Sequence, residues 1–335
     1  MNYLGFWEKL KKPIFVLAPM ADVTDCVFRQ IIAKYGKPDV FWTEFVSADG
    51  LAHPVAREKL LIDLQYGKNE HPIVAQIFGG KPENIKAAAI LCKELGFDGI
   101  DINMGCPDRS VEKQCAGAAM MKDPVLAKEI IRAAKEAGLP ISVKTRIGYN
   151  KNEIETWVRA LLEEDLAVLT VHLRTRKEMS NVPAHWDLMK DIIRIRDEMK
   201  KGTLIFGNGD VVDLEDAKQK IEKYGGDGVM LGRAIFGNPW LFADGRRSDL
   251  ENSKRSDLEE SNSPSLDQKL KVMIEHTKLF EKELGGHKSF AIMKKHYKAY
   301  VHGFDGAKEL RMELTEAKDA TEVEKITLKF IQNKL

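Results

Sequence analysis

Few cysteines, nearly balanced charge and the lack of a long apolar run each exclude a class of protein. The four cysteines among 335 residues do not have the spacing of a zinc site, and they do not suggest a disulfide framework. No apolar stretch is long enough to cross a bilayer, and the N-terminus does not resemble a secretion signal. We therefore expect a cytoplasmic protein with reduced thiols, no membrane association and no obligatory protein partner.

The formal net charge of +1 gives no overall attraction to nucleic acid, although a local basic patch is sufficient for RNA binding. Apolar residues are also almost missing from segment 244–265, DGRRSDLENSKRSDLEESNSPS, which contains a near-repeat. Such a segment cannot bury enough surface to offset its chain entropy. We expect it to be a solvated spacer that contributes no chemistry.

Short β-rich runs alternate with helical patterns through the first two thirds of the chain. Eight parallel strands are the number that closes a small barrel, so the pattern predicts an α/β fold, a (β/α)8 TIM barrel. After the spacer only helical periodicity remains, which predicts a small all-α C-terminal domain. The domain boundaries are a barrel over 1–243, the spacer over 244–265 and a helical domain over 266–335. The predicted strands are 14–20, 39–45, 72–78, 99–105, 140–148, 167–174, 203–209 and 228–233.

The fourth predicted strand ends in the chain's most informative segment, GIDINMGCPDRSVEKQCAGAAMM (99–121). Asp101 and Asn103 alternate with apolar residues and so share a face, as in a strand that lines a functional cavity. Cys106 follows at the carboxyl end, where the sites of parallel α/β proteins lie. A lone cysteine is more often a small buried residue, but the flanking Gly105 and Pro107 fix the backbone here. We favour a functional Cys106.

Two neighbouring strand ends predict a phosphate site. The seventh strand ends in Asn208-Gly209-Asp210 and the eighth in Gly232-Arg233. Phosphate sites of barrels frequently form from the loops after these strands, where glycine lets backbone N–H groups approach and arginine adds charge. An ordinary turn is the alternative for Gly-Arg alone, but the paired motifs favour phosphate.

Lys144, at the end of the fifth strand, has two chemical interpretations. A buried lysine is costly unless it meets a negative group or reacts through its amine. It is either a Schiff-base lysine, as in a class I aldolase, or a fixed cation that stabilises an anionic cofactor ring. Arg146 lies close enough in sequence to lower the amine pKa, so the residues alone leave both open.

The helical segment 287–311 is rich in basic residues. Only Asp305 and Glu309 oppose them, but charged helices are usually just solvated faces, so charge alone favours RNA binding only weakly. The basic residues are Lys288, Lys294, Lys295, Lys298, Lys308 and Arg311.

The stretch NMGCP…AGAAMM (103–107 and 116–121) resembles the signature of the tRNA-dihydrouridine synthases, which are flavin enzymes on a (β/α)8 barrel. The similarity runs from about Pro13 to about Arg311, apart from the spacer. It implies FMN as cofactor, NADPH or NADH as electron donor, and tRNA as partner. It also implies that Cys106 donates a proton and that Lys144 is a fixed cation. The implied FMN contacts are Pro19, Met20, Ala21, Gln76, Lys144, His172, Asn208, Gly209, Asp210, Gly232 and Arg233.

The sixth strand departs from the family pattern. Here His172-Leu173-Arg174-Thr175-Arg176 stands against the family's His-Gly-Arg-Thr-Arg, and His185 stands where the family has Asp or Asn before Trp186. The family's basic-His pair in the C-terminal domain is matched by Lys295-His296. The implied substrate-binding residues are Asn103, Arg146, Arg176, Lys294, Lys295 and His296.

The expected reaction is reduction of a tRNA uridine to 5,6-dihydrouridine, with hydride delivered to C6 and a proton from Cys106 to C5. Asn103 is expected to hold the uracil edge. The nearest alternative is a small-molecule FMN oxidoreductase of the dihydroorotate dehydrogenase type, which does not need basic helices. A catalytically silent RNA-binding protein is the alternative from another class, and it does not need Cys106 or Lys144.

Overall fold

The structure is a computed structural model that describes residues 3–243 and 264–334. The chain divides into two units by the packing of its backbone. The barrel unit consists of Met1–Ala21 and Pro38–Arg233, and the helical unit consists of Asp22–Lys37 and Ala234–Leu335.

Among the described residues, nine strands form one parallel sheet in the barrel unit. They are β1 (Ile14–Leu17), β2 (Phe41–Trp42), β3 (Val46–Ser47), β4 (Ile73–Phe78), β5 (Gly99–Met104), β6 (Ile141–Arg146), β7 (Val168–His172), β8 (Leu204–Asn208) and β9 (Gly228–Leu231). Their order is β1-β9-β8-β7-β6-β5-β4-β2, and a bridge between Val16 and Val40 joins the two ends. The barrel is nearly closed, which confirms the predicted fold.

Each of the eight predicted strands is present, because strands buried on both faces read as apolar runs. The ninth, β3, continues β2 after a break and also pairs with β4. It lies directly after the predicted second strand, 39–45, so the barrel still has eight strand positions.

The helices alternate with these strands. Helix α1 (Cys26–Tyr35) belongs to the helical unit. The barrel unit has α2 (Ala48–Ala52), α3 (Pro54–Leu60), α4 (Pro82–Glu94), α5 (Arg109–Glu112), α6 (Pro124–Lys135), α7 (Ile154–Leu162), α8 (Met189–Glu198) and α9 (Leu214–Tyr224). At α6, Asp123 caps the helix by accepting a hydrogen bond from the Leu126 N–H. The apolar face of this helix, which includes Ile130 and Ala134, is buried.

Aromatic side chains pack against one another in the interior of the barrel unit. The Trp7 ring lies 5.7 Å from Trp42 and 5.8 Å from Phe206 between centroids. All three side chains are buried, together with apolar residues of β1, β4, β7, β8 and β9. This apolar packing is the barrel's core, and the polar residues collect at the carboxyl ends of the strands.

The helical unit also contains α10 (Leu266–Leu284), α11 (Met293–Tyr300), α12 (Ala307–Glu316) and α13 (Ala320–Lys334). Ser265 and Gln268 form a reciprocal capping box at the start of α10. The predicted all-α character of the C-terminal region is confirmed over the described residues 264–334. Within the described residues, no helix combines the length and the apolar content that a membrane crossing requires.

The predicted domain boundaries stay a prediction, because residues 244–263 of the spacer lie outside the described residues. The observed division differs in two respects: residues 234–243 cluster with the helical unit instead of the barrel, and so does an earlier segment. Residues 22–37 cluster with the helical unit, where α1 packs against α10. The sequence pattern assigned this segment to the barrel because it follows β1 directly.

Candidate active site

The strand register brings the predicted residues together at the carboxyl end of the barrel. Asn103 of β5 pairs with Lys144 of β6, which pairs with Thr170 of β7. Two residues further along, Arg146 pairs with His172 and His172 with Asn208. Neighbouring strands therefore place amide, ammonium, imidazole and guanidinium groups at one edge.

A chain of side-chain hydrogen bonds crosses β4, β5 and β6. Gln76 Nε2 donates to Asp101 Oδ2 at 2.6 Å, and Asn103 Nδ2 donates to Gln76 Oε1 at 3.0 Å. Ser142 Oγ donates to the other Asp101 oxygen at 2.5 Å. Asp101 is completely buried, and burial raises the pKa of its carboxyl to about 6. The sequence placed Asp101 in the lining of a cavity, whereas the structure has no part of it exposed.

Asn103 holds the loop that carries Cys106. The backbone N–H groups of Gly105 and Cys106 donate to Asn103 Oδ1 at 3.1 and 2.9 Å. On the other side of the loop, the Ala118 N–H donates to the Cys106 carbonyl at 2.9 Å. Gly117 has φ +58°, and a Cβ there would lie 2.6 Å from the Cys106 carbonyl oxygen. This close approach explains glycine in the small-residue motif after the cysteine.

The Cys106 side chain is half-buried. Burial raises the pKa of its thiol, and the nearby charge of Asp108 acts in the same direction. A raised pKa keeps the thiol protonated at neutral pH, which suits a proton donor and not a thiolate nucleophile.

Lys144 is half-buried, and its ammonium has no hydrogen bond or ion pair within the described residues. Burial, assisted by the charge of Arg146, lowers the pKa of Lys144 to about 8. Its register neighbour Thr170 has a buried hydroxyl that also lacks a partner in the described part of the chain. These two unsatisfied groups lie on adjacent strands, as expected where a ligand completes the site.

Arg146 is engaged by backbone carbonyls. Its guanidinium donates to Gly105 at 2.9 Å, to Thr175 at 3.2 Å and to Met179 at 3.0 Å. It thereby ties the loop after β5 to the loop after β7. Substrate binding by Arg146 stays a prediction; what the contacts show is positioning of the Cys106 loop.

A cluster of charge occupies the ends of β7, β8 and β9. Asp210 accepts hydrogen bonds from Arg174, from Arg233 at 2.9 Å and from the Ala184 N–H at 2.9 Å. Arg174 also contacts His172 Nε2 at 2.9 Å. Burial and the surrounding cations hold the pKa of His172 far below its ordinary value, so the ring is neutral. The sequence missed Arg174, although it lies two residues after His172.

The predicted phosphate motifs are adjacent in this cluster. Gly209 has φ +122°, and a Cβ there would lie 2.9 Å from Ala184 and 3.1 Å from His172. Asn208 donates through its amide to the Met230 carbonyl at 2.8 Å and so fixes β8 against β9. Arg233 is two-thirds exposed, with its charge turned towards solvent and Asp210.

Three other predicted cofactor residues follow β1. Pro19 and Met20 are half-buried and Ala21 is exposed. A Cβ at Gly232 would lie 3.8 Å from the Met20 sulfur, so the loops after β1 and β9 adjoin. The structure therefore places this motif beside the predicted phosphate site.

The two residues that differ from the family pattern around the sixth strand are accommodated by their surroundings. Leu173 is completely buried, and His185 Nε2 contacts Glu178 Oε1 at 3.0 Å. Arg176 forms a two-bond ion pair with Glu112, at 2.9 and 2.6 Å. Substrate binding by Arg176 stays a prediction, since the charge is already matched by Glu112.

Two of the three predicted RNA contacts in the helical unit are on its surface. Lys294 and Lys295 are exposed, and Lys295 lies 3.1 Å from Asp22 of the same unit. His296 is completely buried between Phe28 and His276. The prediction that His296 contacts RNA is wrong for this structure, because its position on α11 directs it to the apolar side of the helix.

The chain is similar to known proteins over nearly its whole length. A model of the dihydrouridine synthase family matches residues 16–335. A probable tRNA-dihydrouridine synthase of Staphylococcus aureus is 42% identical over 320 residues, covering 95% of this chain and 93% of that protein. Probable tRNA-dihydrouridine synthase 2 of Bacillus subtilis is 41% identical, covering 95% and 94%.

A similar fold occurs in a solved structure of low sequence identity. The 6-hydroxypseudooxynicotine amine oxidase of Pseudomonas geniculata N1 has a TM-score of 0.51 and 13% identity, covering 68% of this chain and 46% of that one. This likeness concerns the fold alone. The family match and the two relatives extend over nearly the whole sequence. The chain therefore belongs to the dihydrouridine synthase family of oxidoreductases.

Proposed function

We propose that this protein reduces the C5=C6 bond of a uridine in tRNA to give 5,6-dihydrouridine, with FMN as cofactor and NADPH or NADH as electron donor, in the cytoplasm. The observation that carries the proposal is that Asn103 holds the backbone of the Cys106 loop, at the end of the strand next to the one that carries Lys144. Family membership and the names of the relatives support tRNA as the substrate.

The residues at the carboxyl end of the barrel fit FMN. A phosphate suits the loops at Gly209 and Gly232, with Arg233 as the charged group. The unpaired ammonium of Lys144 suits negative charge on a ring system. Gln76 is a further predicted contact, and its amide orientation is fixed by Asp101. When bound, FMN supplies the hydride that C6 of the pyrimidine receives.

Cys106 completes the reduction by proton transfer. As C6 receives hydride, negative charge develops at C5 and its adjoining carbonyl. The thiol gives its proton to C5, and the resulting thiolate is reprotonated from solvent before the next turnover. Arg146 and Asn103 keep the loop of this thiol in place from opposite ends.

Lys294 and Lys295 provide exposed positive charge for the phosphate backbone of tRNA. A uridine must leave its stack to enter a barrel, at a cost of a few kcal/mol. Backbone contacts help to offset this cost. A small-molecule FMN oxidoreductase does not require them, so charge reversal of these lysines separates the two functions.

Two measurements test the proposed function. The purified protein should be yellow, and NADPH should bleach its flavin absorbance in the absence of air. Unmodified tRNA should then restore the absorbance and gain two hydrogens at a uridine, detected by mass spectrometry of its nucleosides. A colourless protein that cannot be reconstituted with FMN, or a bleached protein that does not react with tRNA, would refute the proposal.

A further inference from the structure

Asp101 contacts none of the reacting groups proposed above, yet it lies at the end of the hydrogen-bond chain that holds Cys106. The chain begins at the Cys106 N–H, which donates to Asn103 Oδ1. Asn103 Nδ2 then donates to Gln76 Oε1, and Gln76 Nε2 donates to Asp101 Oδ2. Every bond runs in the same direction, from the loop towards the carboxylate.

The two ends of the chain fix this direction. A backbone N–H can only donate, and an ionised carboxylate can only accept. A flip of the Gln76 amide would set its oxygen against the Asp101 carboxylate and its nitrogen against the Asn103 nitrogen. Because Gln76, Asp101 and Asn103 are all buried, water cannot replace the hydrogen bonds that such a flip would break.

We infer that Asp101 is a positioning residue, which sets the direction of the Gln76 and Asn103 amides and thereby both anchors the Cys106 loop and selects the atom that Asn103 recognises. The carboxylate does so through Gln76, without touching Asn103 or the loop. Ser142 donates to the opposite oxygen of Asp101 and takes no part in the chain.

The hydrogen-bonding capacity that remains on the Asn103 amide determines which ligand atoms it can recognise. Its oxygen accepts two backbone hydrogen bonds and is saturated, while its nitrogen keeps one unused N–H. Asn103 can therefore donate to a ligand but cannot accept. On a pyrimidine, Asn103 can therefore bind a carbonyl oxygen but not the ring N3–H of uracil, because that group is itself a donor. This part of the inference rests on the proposed function, and it specifies how Asn103 holds the base.

Exchanging the amide of Gln76 and the carboxylate of Asp101 tests the direction of the chain. In Gln76→Glu, two carboxylates face each other and the donor to Asp101 is lost. In the double variant Gln76→Glu with Asp101→Asn, the new amide at position 101 donates to the new carboxylate at position 76 and still accepts from Ser142. That carboxylate in turn still accepts from Asn103.

Asp101→Asn alone keeps an acceptor for Gln76. Ser142→Ala is the matched control, because it removes a bond to the same carboxylate outside the chain.

The readout is hydrogen exchange of the Gly105 and Cys106 amides in the purified protein, followed by mass spectrometry of overlapping peptides. We expect about tenfold faster exchange in Gln76→Glu, and recovery to within about threefold of the parent in the double variant. Asp101→Asn and Ser142→Ala should also remain within about threefold. Unchanged exchange in Gln76→Glu, or no recovery in the double variant, would overturn the inference.

A parallel reaction of the reduced parent protein with tRNA separates this inference from the proposed function. If the parent reduces tRNA but the exchange pattern is not found, the positioning role fails while the function stands. The thermal unfolding midpoint of each variant supplies the comparison for a merely structural role. Such a role predicts parallel loss of stability in the single and double variants, with no recovery at Cys106, and that result would overturn the inference.

Discussion

The end of the barrel and the core of the helical unit both bury polar side chains, but they satisfy them differently. In the barrel, Asp101 is bonded on both carboxylate oxygens. In the helical unit, His276 and His296 pack 4.5 Å apart between ring centroids and against Phe28. Both ring nitrogens of His296, and Nε2 of His276, have no partner within the described residues.

This difference separates two uses of buried polarity. A directed chain of bonds fixes where a loop and its thiol lie, which is what proton transfer requires. An unsatisfied histidine pair packs like a pair of aromatic rings and remains neutral, at a cost that grows when the pH falls. We therefore expect substitutions at the barrel to change chemistry, and those in the helical core to change stability.

The largest expected effect is on turnover in Cys106→Ala. It should fall by about two to four orders of magnitude, the usual contribution of a positioned general acid. Bound flavin and its reduction by NADPH should be retained, because the thiol is needed only in the later reaction of the reduced protein with tRNA. Cys115→Ala is the matched control, since Cys115 is exposed and the proposed chemistry does not involve it. Normal turnover in Cys106→Ala, with some loss of stability, would show that Cys106 only packs.

Arg233→Ala should have the next largest effect, on flavin affinity. Loss of a charged hydrogen bond to phosphate costs about 1.5–3 kcal/mol, which corresponds to roughly ten- to hundredfold weaker binding. The dissociation constant of FMN can be measured by fluorescence titration of the apoprotein. Arg194→Ala, on the exposed side of α8, is the control. Equal FMN affinity in Arg233→Ala and the parent would remove Arg233 from the phosphate site.

Acid should destabilise the protein through the helical core. Burial holds the pKa of His276 well below its ordinary value and lowers that of His296 to about 3. The unfolded state then binds more protons than the folded state below about pH 6.5, so stability is lost as the pH falls. Each histidine contributes up to about 1.4 kcal/mol per pH unit in that window.

Urea unfolding at neutral and mildly acidic pH measures this loss. In His296→Leu, the free energy of unfolding should fall less between the two pH values than in the parent. His287→Leu, at an exposed histidine of the same unit, should behave like the parent. The same pH dependence in all three proteins would contradict a destabilising role for the buried pair.

The smallest expected effect is on tRNA affinity in Lys294→Glu with Lys295→Glu. Binding should weaken several-fold, and the slope of log affinity against log salt should fall by about 0.9 for each lost phosphate contact. NADPH oxidation without tRNA should be unchanged. Glu313→Lys, on exposed α12, is a charge-reversal control of opposite sign. Unaltered tRNA affinity in the double variant would exclude these lysines from the RNA contact.

The barrel could be predicted from the sequence because each of its strands is a short apolar run between two segments with a helical pattern. The alternation of Asp101 and Asn103 also predicted a shared face, and the structure joins the two residues through Gln76. The partners could not be predicted, because Arg146 binds backbone carbonyls distant in sequence and Arg176 meets Glu112 of another element. Pairing of that kind depends on the folded loops.

The error at His296 had a signal that was available. Met293, His296, Tyr297 and Tyr300 recur at helical spacing, and all four are buried on one side of α11. The sequence analysis assigned RNA binding to both Lys295 and His296. The side chains of consecutive residues in a helix, however, point about 100° apart. A helical-periodicity argument would have assigned the lysine to the surface and the histidine to the core.

The pH dependence of a single turnover tests the central claim most directly. The reduced protein is mixed with tRNA, and the rate of flavin reoxidation is followed without air. The account predicts a plateau around neutral pH and a fall in the rate at high pH, because burial raises the pKa of the Cys106 thiol and the thiol loses its proton only in alkaline solution. A rate that rises with pH through 8 and above would show that a thiolate is required, and would contradict Cys106 as the proton donor.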